Sequence, residues 1–287
     1  AGGRITANNI KVKDGVYLAR VRANSVNLQQ LSPQIPKSFK GKLNGDFDVA
    51  GSLDSFTPES IVATGKGEIK TPGGVITASN IQVKNGIYLG QVGVNNVRFR
   101  DLSEQVPKSF TGRLTGKFNL AGSLDSFAPE SLIVSGDANL NTAVGKISAR
   151  DIEFARGQYR AKVGVNNIDV RQLSPQVPQS FPGKLTGTFN IAGSTKSVED
   201  LTVSGNASIN AAGGKILASD IAVFNGRYQA KVATNNLLVR QLSPKIPQAF
   251  PGRLTGKFNV AGSVNSFEDI DLSGNALINT GNGKITA

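Results

Sequence analysis

A strand with one oily face and one wet face is written four times along this chain. Gly183–Ser194 reads GKLTGTFNIAGS, and its sisters are Gly41–Ser52, Gly112–Ser123 and Gly252–Ser263. In the third copy the apolar positions Leu185, Gly187, Phe189 and Ile191 alternate with Lys184, Thr186, Thr188 and Asn190. Side chains on a strand point to opposite faces with period two, so the pattern predicts a strand buried on one side only. The copies recur at a nearly constant interval. Tyr17, Tyr88, Tyr159 and Tyr228 hold the same place in successive copies, 71, 71 and 69 residues apart. A period of about 70 residues marks a stacked array, not a set of independent domains.

The copies run over residues 3–73, 74–144, 145–213 and 214–282, with the start of a fifth at 283–287, one continuous array over 1–287. Solenoids stay soluble by means of polar terminal repeats. Neither end of this array reads as one, and the chain has no methionine, so the expectation is an excerpt from a longer protein.

Each copy reads as four strands. The first is RITANNIKV (4–12) and its sisters VITASNIQV, KISARDIEF and KILASDIAV. Its apolar positions change phase after Ala7, to Ile10 and Val12, and the other copies slip at the same place. A one-residue phase slip predicts a β-bulge. Asp14–Gly15, Asn85–Gly86, Arg156–Gly157 and Asn225–Gly226 follow, suited to the positive φ angles of a type I′ hairpin. The second strand starts at the tyrosine and slips in phase at Asn24–Ser25, Asn95–Asn96, Asn166–Asn167 and Asn235–Asn236, a second predicted bulge.

A proline-bearing connection comes next, LSPQIPKSF in the first copy, in which Ile35 and Phe39 are expected to plug an end of the core. All 12 prolines, among them Pro36, Pro107, Pro178 and Pro247, fall between the predicted strands. The opening motif is the third strand. LDSFTPES or LDSFAPES then leads to a fourth, read at 201–211 as LTVSGNASINA. The fold class is therefore all-β: tandem four-strand meanders forming a long curved antiparallel sheet. About 16 strands of roughly ten residues would span about 77 Å by about 33 Å.

Composition narrows the function. The chain lacks cysteine and histidine, which removes thiol chemistry and the commonest general base and metal ligand. No cofactor or metal site is expected. A catalytic constellation should occur once, whereas the residues here recur fourfold, so the chain reads as no enzyme. Glu199–Asp200 and Glu268–Asp269, with Glu59 and Glu130 as counterparts, are read as solvated loop residues before the fourth strand. Asn206-Ala207-Ser208 fits a glycosylation sequon, a pattern common by chance. The net charge of +12 suits a self-repelling outer face or an anionic membrane surface. Nucleic acid is not expected as a partner, since the aromatics lie on apolar faces or in loops and not in a basic groove. No apolar run reaches the 18 or so residues of a membrane-spanning helix.

A long sheet with one apolar face must cover it. It can fold on itself as a dry solenoid, close into a membrane barrel, or form a trough filled by lipid. A barrel needs aromatic girdles, and the chain has no tryptophan and only 4 tyrosines, all at one hairpin. Glycines recur on the inward face at Gly45, Gly116, Gly187 and Gly256, and at Gly67, Gly136, Gly205 and Gly274, for bending or for approach by a guest. Arg100, Arg171 and Arg240, at the end of the second strand, could meet lipid phosphate or stand as exposed charge.

The G-x-L-x-G-x-F-x-φ-A-G-S strand, the S-F-type loop and the φ-x-φ-x-G-x-φ-x-φ strand after it together resemble the repeats of TamB-type translocation and assembly proteins. These belong to the AsmA-like, bridge-like lipid-transfer group, and the proline-bearing connection is similar to that of cyanobacterial or plastid relatives. The resemblance spans the whole chain. It implies an open U-shaped trough (a β-taco) in the periplasm or intermembrane space of a double-membrane envelope, with the full protein anchored in the inner membrane. It also implies phospholipid passage between inner and outer membranes, support of outer-membrane protein assembly, and an outer-membrane assembly barrel as a partner. On this reading acyl chains lie against Leu43, Phe47 and Val49; Leu114, Phe118 and Leu120; Leu185, Phe189 and Ile191; and Leu254, Phe258 and Val260 of the third strands. Leu132, Val134, Leu201, Val203, Ile209 and Leu272 of the fourth strands complete the lining. The alternative is a structural β-solenoid spacer with a dry core and no ligand.

Overall fold

The structure, a computed structural model, describes residues 2–30, 40–55, 57–102, 111–126, 128–143, 145–173, 181–211, 213–242, 245–247, 249–264, 266–281 and 283–286. Ile35, Phe39, Pro36, Pro107 and Pro178 lie outside them. Among the described residues seventeen strands form one open, unclosed antiparallel sheet. Contacts divide the chain into two compact units, residues 1–142 with 150–157, and residues 143–149 with 158–287.

In the first unit, β1 (Arg4–Lys13), β2 (Val16–Asn27), β3 (Lys42–Ser52), β4 (Val62–Thr71), β5 (Gly74–Lys84), β6 (Ile87–Arg98), β7 (Gly112–Ser123) and β8 (Ile133–Thr142) follow in chain order. Each pairs antiparallel with the next. β9 (Lys146–Ala155) is divided between the units. In the second unit β10 (Gln158–Asp169), β11 (Lys184–Ser194), β12 (Thr202–Ala211), β13 (Gly214–Phe224), β14 (Arg227–Leu238), β15 (Arg253–Ser263), β16 (Ser266–Asn279) and β17 (Lys284–Thr286) pair in the same sequential way. Among the described residues helical structure is limited to short 3₁₀ turns and one four-residue turn, α1 (Val170–Leu173).

Both expected bulges are present. The ladder between β1 and β2 skips from Asn8 to Lys11, and that between β5 and β6 skips from Ser79 to Gln82. The residue thrown out is Asn9, Asn80, Asp151 or Asp220, each in the left-handed region at φ 51–54°. Asn and Asp tolerate that conformation best among residues with a side chain. The second bulge carries Ser25, Asn96, Asn167 and Asn236 at φ 53–57°. Its amide would be orphaned, and the wet face of the neighbouring strand supplies the acceptor. Ser25 N donates to Asn44 Oδ1 at 2.9 Å, and the amides of Asn96, Asn167 and Asn236 donate to the hydroxyls of Thr115, Thr186 and Thr255 at 3.1–3.3 Å. The hairpins have both central residues at positive φ, as at Asp14 (51°) and Gly15 (74°), the type I′ form.

Two boundaries differ from the sequence reading. The second strands begin one residue before the tyrosine, at Val16, Ile87, Gln158 and Arg227, because the hairpin closes there, as Lys13 pairs with Val16. Glu268 and Asp269 do not sit in a loop. β16 begins at Ser266, where a bulge between Gly262 and Ser263 lets the strand pair up to the turn. The other copies have a proline or a Ser-Val-Glu-Asp turn at that point, and Glu59, Glu130, Glu199 and Asp200 do lie in 3₁₀ turns.

The tightest packing sits just past the second bulge, where Val26, Val97, Ile168 and Leu237 are at most 5% exposed. In the second unit residues of the connections between strands, Phe181 and Leu242, pack with Leu238, Ile209, Ile216 and Leu254 on buried Ala211 and Leu237.

Candidate functional site

Directly opposed residues of an antiparallel pair share a face, so the register defines each face residue by residue. Across β2, β3 and β4 the rows are Val26–Leu43–Ile69, Val21–Phe47–Gly65 and Ala19–Val49–Ala63. They continue across β5 and β6 as Ile69–Ile76–Val94 and Ala63–Val83–Tyr88. Across β6, β7 and β8 they run Val97–Leu114–Leu140, Val92–Phe118–Gly136 and Gly90–Leu120–Val134. Among the described residues no charged side chain of β1 through β8 falls on this face. The second unit repeats the arrangement, with Val163–Phe189–Gly205, Ala161–Ile191–Val203 and Ile168–Leu185–Ile209, then Leu237–Leu254–Ile278 and Ala230–Val260–Leu272.

The bulges explain how this face stays uninterrupted. A strand with strict alternation would send Ile10 and Val12 to the side opposite Ile5 and Ala7. The extra residue Asn9 turns the phase over, and Val12 faces Tyr17 as Ala7 faces Val21.

The sequence-derived lining residues fall on this one face within each unit. Leu43, Phe47, Val49, Leu114, Phe118, Leu120, Leu185, Phe189, Ile191, Leu254, Phe258 and Val260 are half-buried on third strands, and Val134, Val203 and Ile209 are half-buried on fourth strands. Leu132 and Leu201 lie one residue before β8 and β12, also half-buried. Leu272 differs, at 59% exposed near the free edge of β16.

Gly45, Gly65, Gly116, Gly187, Gly205 and Gly256 of the inward face seat aromatic rings. A Cβ on Gly65 would stand 2.5 Å from Phe47 Cδ1 and 2.5 Å from the Asp46 carbonyl, and one on Gly116 would stand 2.9 Å from Phe118 Cε2. Phe189 occupies the space beside Gly187 and Gly205, and Phe258 the space beside Gly256. Gly51, Gly122, Gly193 and Gly262 seat Tyr17, Tyr88, Tyr159 and Tyr228 in the same way. At these positions each ring lies down over its neighbour's bare backbone, which flattens the face there.

The opposite face is polar. Arg20–Asp48 (2.9 Å) and Arg22–Asp46 (2.7 Å) are cross-strand ion pairs, and the Arg22 hydrogen bond holds the Asp46 carboxyl below its ordinary range. Arg171 is occupied by a carboxylate of its own chain: its Nε and Nη2 donate to Asp169 at 2.9 and 2.5 Å, with Lys184 3.5 Å away. Asp169 is 6% exposed, and its carboxyl is held well below the usual range, first by the Arg171 hydrogen bond. Arg100 stands 3.9 Å from Asp101. Asn206 is committed as well, its Oδ1 accepting from the Asp220 amide at 3.2 Å in the middle of the sheet. Among the described residues no group of three potential metal ligands converges, and no helix is long and apolar enough to cross a membrane. Compared with protein families, curated proteins and solved structures, the chain matches none.

Proposed function

We propose that this chain is an acyl-chain-bearing segment of a TamB-type envelope protein. Its sheet bends into a U, and phospholipid tails slide along the inner face while headgroups stay in water. In that role it conducts phospholipid between inner and outer membranes, or supports outer-membrane protein assembly, from the periplasm or intermembrane space. The observation that carries the reading is the uncharged face running from β1 through β8, with its phenylalanines only half-buried. A sheet with a dry core would bury Phe47 and Phe118 under a second layer; here both keep part of their surface free.

The energy is of the right size. Apolar burial is worth about 0.8 kcal/mol per methylene, so a tail of about sixteen carbons half covered by the wall gains about 6 kcal/mol. That suffices to hold a lipid and still release it. The flatness produced by the glycine-seated rings also suits sliding, because no site along the face binds a tail much more strongly than the next. Native mass spectrometry of the purified chain tests the idea: phospholipid adducts are expected, and Phe118→Asp or Phe189→Asp should remove them while the fold persists. A clean unliganded mass after extraction from lipid-rich membranes would leave only a rigid spacer.

A further inference from the structure

All four tyrosines stand at the hairpin end of the apolar face, Tyr17 and Tyr88 in the first unit and Tyr159 and Tyr228 in the second. Each faces a buried glycine of the next strand, Gly51, Gly122, Gly193 or Gly262, and leans across onto it. The hydroxyl lies over that glycine as well. A Cβ on Gly51 would stand 2.5 Å from Tyr17 Oη, and one on Gly262 would stand 2.6 Å from Tyr228 Oη. The bare backbone thus lays the polar tip of each ring on the oily face. Among the described residues none of the four hydroxyls makes a hydrogen bond. Thr71, at the other end of the same face, is satisfied by contrast, its hydroxyl donating to the Gly74 carbonyl at 2.8 Å.

The two ends of the face also differ in depth. Toward the connections Val26, Val97, Ile168 and Leu237 are at most 5% exposed, whereas the tyrosines are half-buried. A guest with one oily and one polar end lowers its free energy by pointing the oily end toward the deeper side. Tyrosine, an apolar body with a polar tip, suits the level at which such a guest passes from oil to water. The spacing agrees. Val21, which faces Phe47, lies four residues beyond Tyr17, about 13 Å at about 3.3 Å per residue. The tails of one membrane leaflet occupy about 15 Å. A lipid whose ester groups stand at the tyrosines therefore lays its tail over the phenylalanine and stops short of the deepest residues.

We propose that the tyrosine hydroxyls donate to oxygens of the glycerol-ester region of a phospholipid and so fix which way it lies: headgroup beyond the hairpins, tails toward the proline-bearing connections. This rests on the reading of the apolar face as the lipid path. Within each unit the two tyrosines are four strands apart, about 19 Å at about 4.8 Å per strand. A lipid moving across the strands meets the same donor once in every repeat and keeps its orientation.

The test replaces all four tyrosines in the full 287-residue chain, Tyr17→Phe, Tyr88→Phe, Tyr159→Phe and Tyr228→Phe, which keeps the rings and removes the hydroxyls. Binding of radiolabelled dioleoylphosphatidylcholine should fall about fivefold, the loss of one net hydrogen bond. Binding of radiolabelled hexadecane, which has no oxygen, should not change, nor should the far-UV circular dichroism. In the parent, phosphatidylcholine with a diazirine on the headgroup should label the hairpin ends of the strands, and a diazirine at the tail tip should label the strands beyond the phenylalanines. Undiminished phospholipid binding by the variant, an equal loss of phospholipid and hexadecane, or headgroup label at the connection end would each overturn the proposal while leaving the lipid path standing. A parent that takes up neither ligand would overturn the lipid path itself, and this proposal with it.

Discussion

Gly65 and Gly67 lie two residues apart on β4, on the same face, and substitution by alanine should move stability in opposite directions. A Cβ on Gly65 would meet the Asp46 carbonyl and Phe47 Cδ1, both at 2.5 Å, and Phe47 Cα at 3.1 Å. Two of these atoms are backbone, so rotating the ring gives no relief, and β3 and β4 must separate locally. Overpacking of this kind costs about 1–3 kcal/mol, and the backbone contacts put Gly65→Ala near the top of that range. At Gly67 the nearest atoms are Asn44 O and Leu43 Cδ1 at 3.4 Å and Phe47 Cζ at 3.7 Å, ordinary contact distances. Gly67→Ala therefore fits as it stands and restricts the unfolded chain, for a gain of about 0.4–1 kcal/mol. For a unit of about 150 residues, each kcal/mol moves Tm by about 2–4 °C. Thermal melts followed by circular dichroism should place Gly65→Ala about 6–12 °C below the parent and Gly67→Ala at or slightly above it. If both variants melt alike, the rings do not lie on the glycines and the account of a flattened face fails.

Thr234 places a hydroxyl, buried and without a hydrogen-bond partner among the described residues, on the apolar face, where the matching residues of two other copies are Val94 and Val165. Thr234→Val should stabilise the second unit by about 1 kcal/mol, read from the urea midpoint at unchanged slope. Asp169 should impose an acid dependence. Its folded carboxyl titrates below its ordinary value of about 3.9, chiefly because Arg171 donates to it, so its contribution is complete above that pH and drains away as pH falls further. After allowance for solvent screening that contribution is about 1 kcal/mol. Asp169→Asn should lose it at pH 7 and flatten the stability profile below pH 4, as urea melts across that range would reveal.

The alternation, the hairpins and both bulges were legible because each leaves a local mark: a period of two, an Asn-Gly pair, a slip of one residue. The choice of Asn, Asp and Ser at the slips even signals the left-handed backbone found there, as at Asn9 and Asn96. What the sequence did not declare depends on which neighbour leans which way. Gly65 and Gly67 look equivalent in a strand pattern, and only the lie of the Phe47 ring separates them. The early start of β16 was hidden by the loop residues of the other copies, since Ser-Phe-Glu-Asp reads as a turn wherever pairing does not extend it. Arg171 resembled Arg100 and Arg240 by position, but its copy alone places an aspartate two residues earlier, and that carboxylate draws it in. The same singularity could have been found by asking where the copies differ, not only where they agree.

A photocrosslinking residue placed in turn at Phe118 and Lys117, and at Phe189 and Thr188, tests the central claim directly, because each pair samples the two faces of one strand. In cells with labelled phospholipid, Phe118 and Phe189 should capture lipid and Lys117 and Thr188 should not. Equal labelling of both faces, or labelling of neither, would contradict the assignment of the uncharged face as the lipid path.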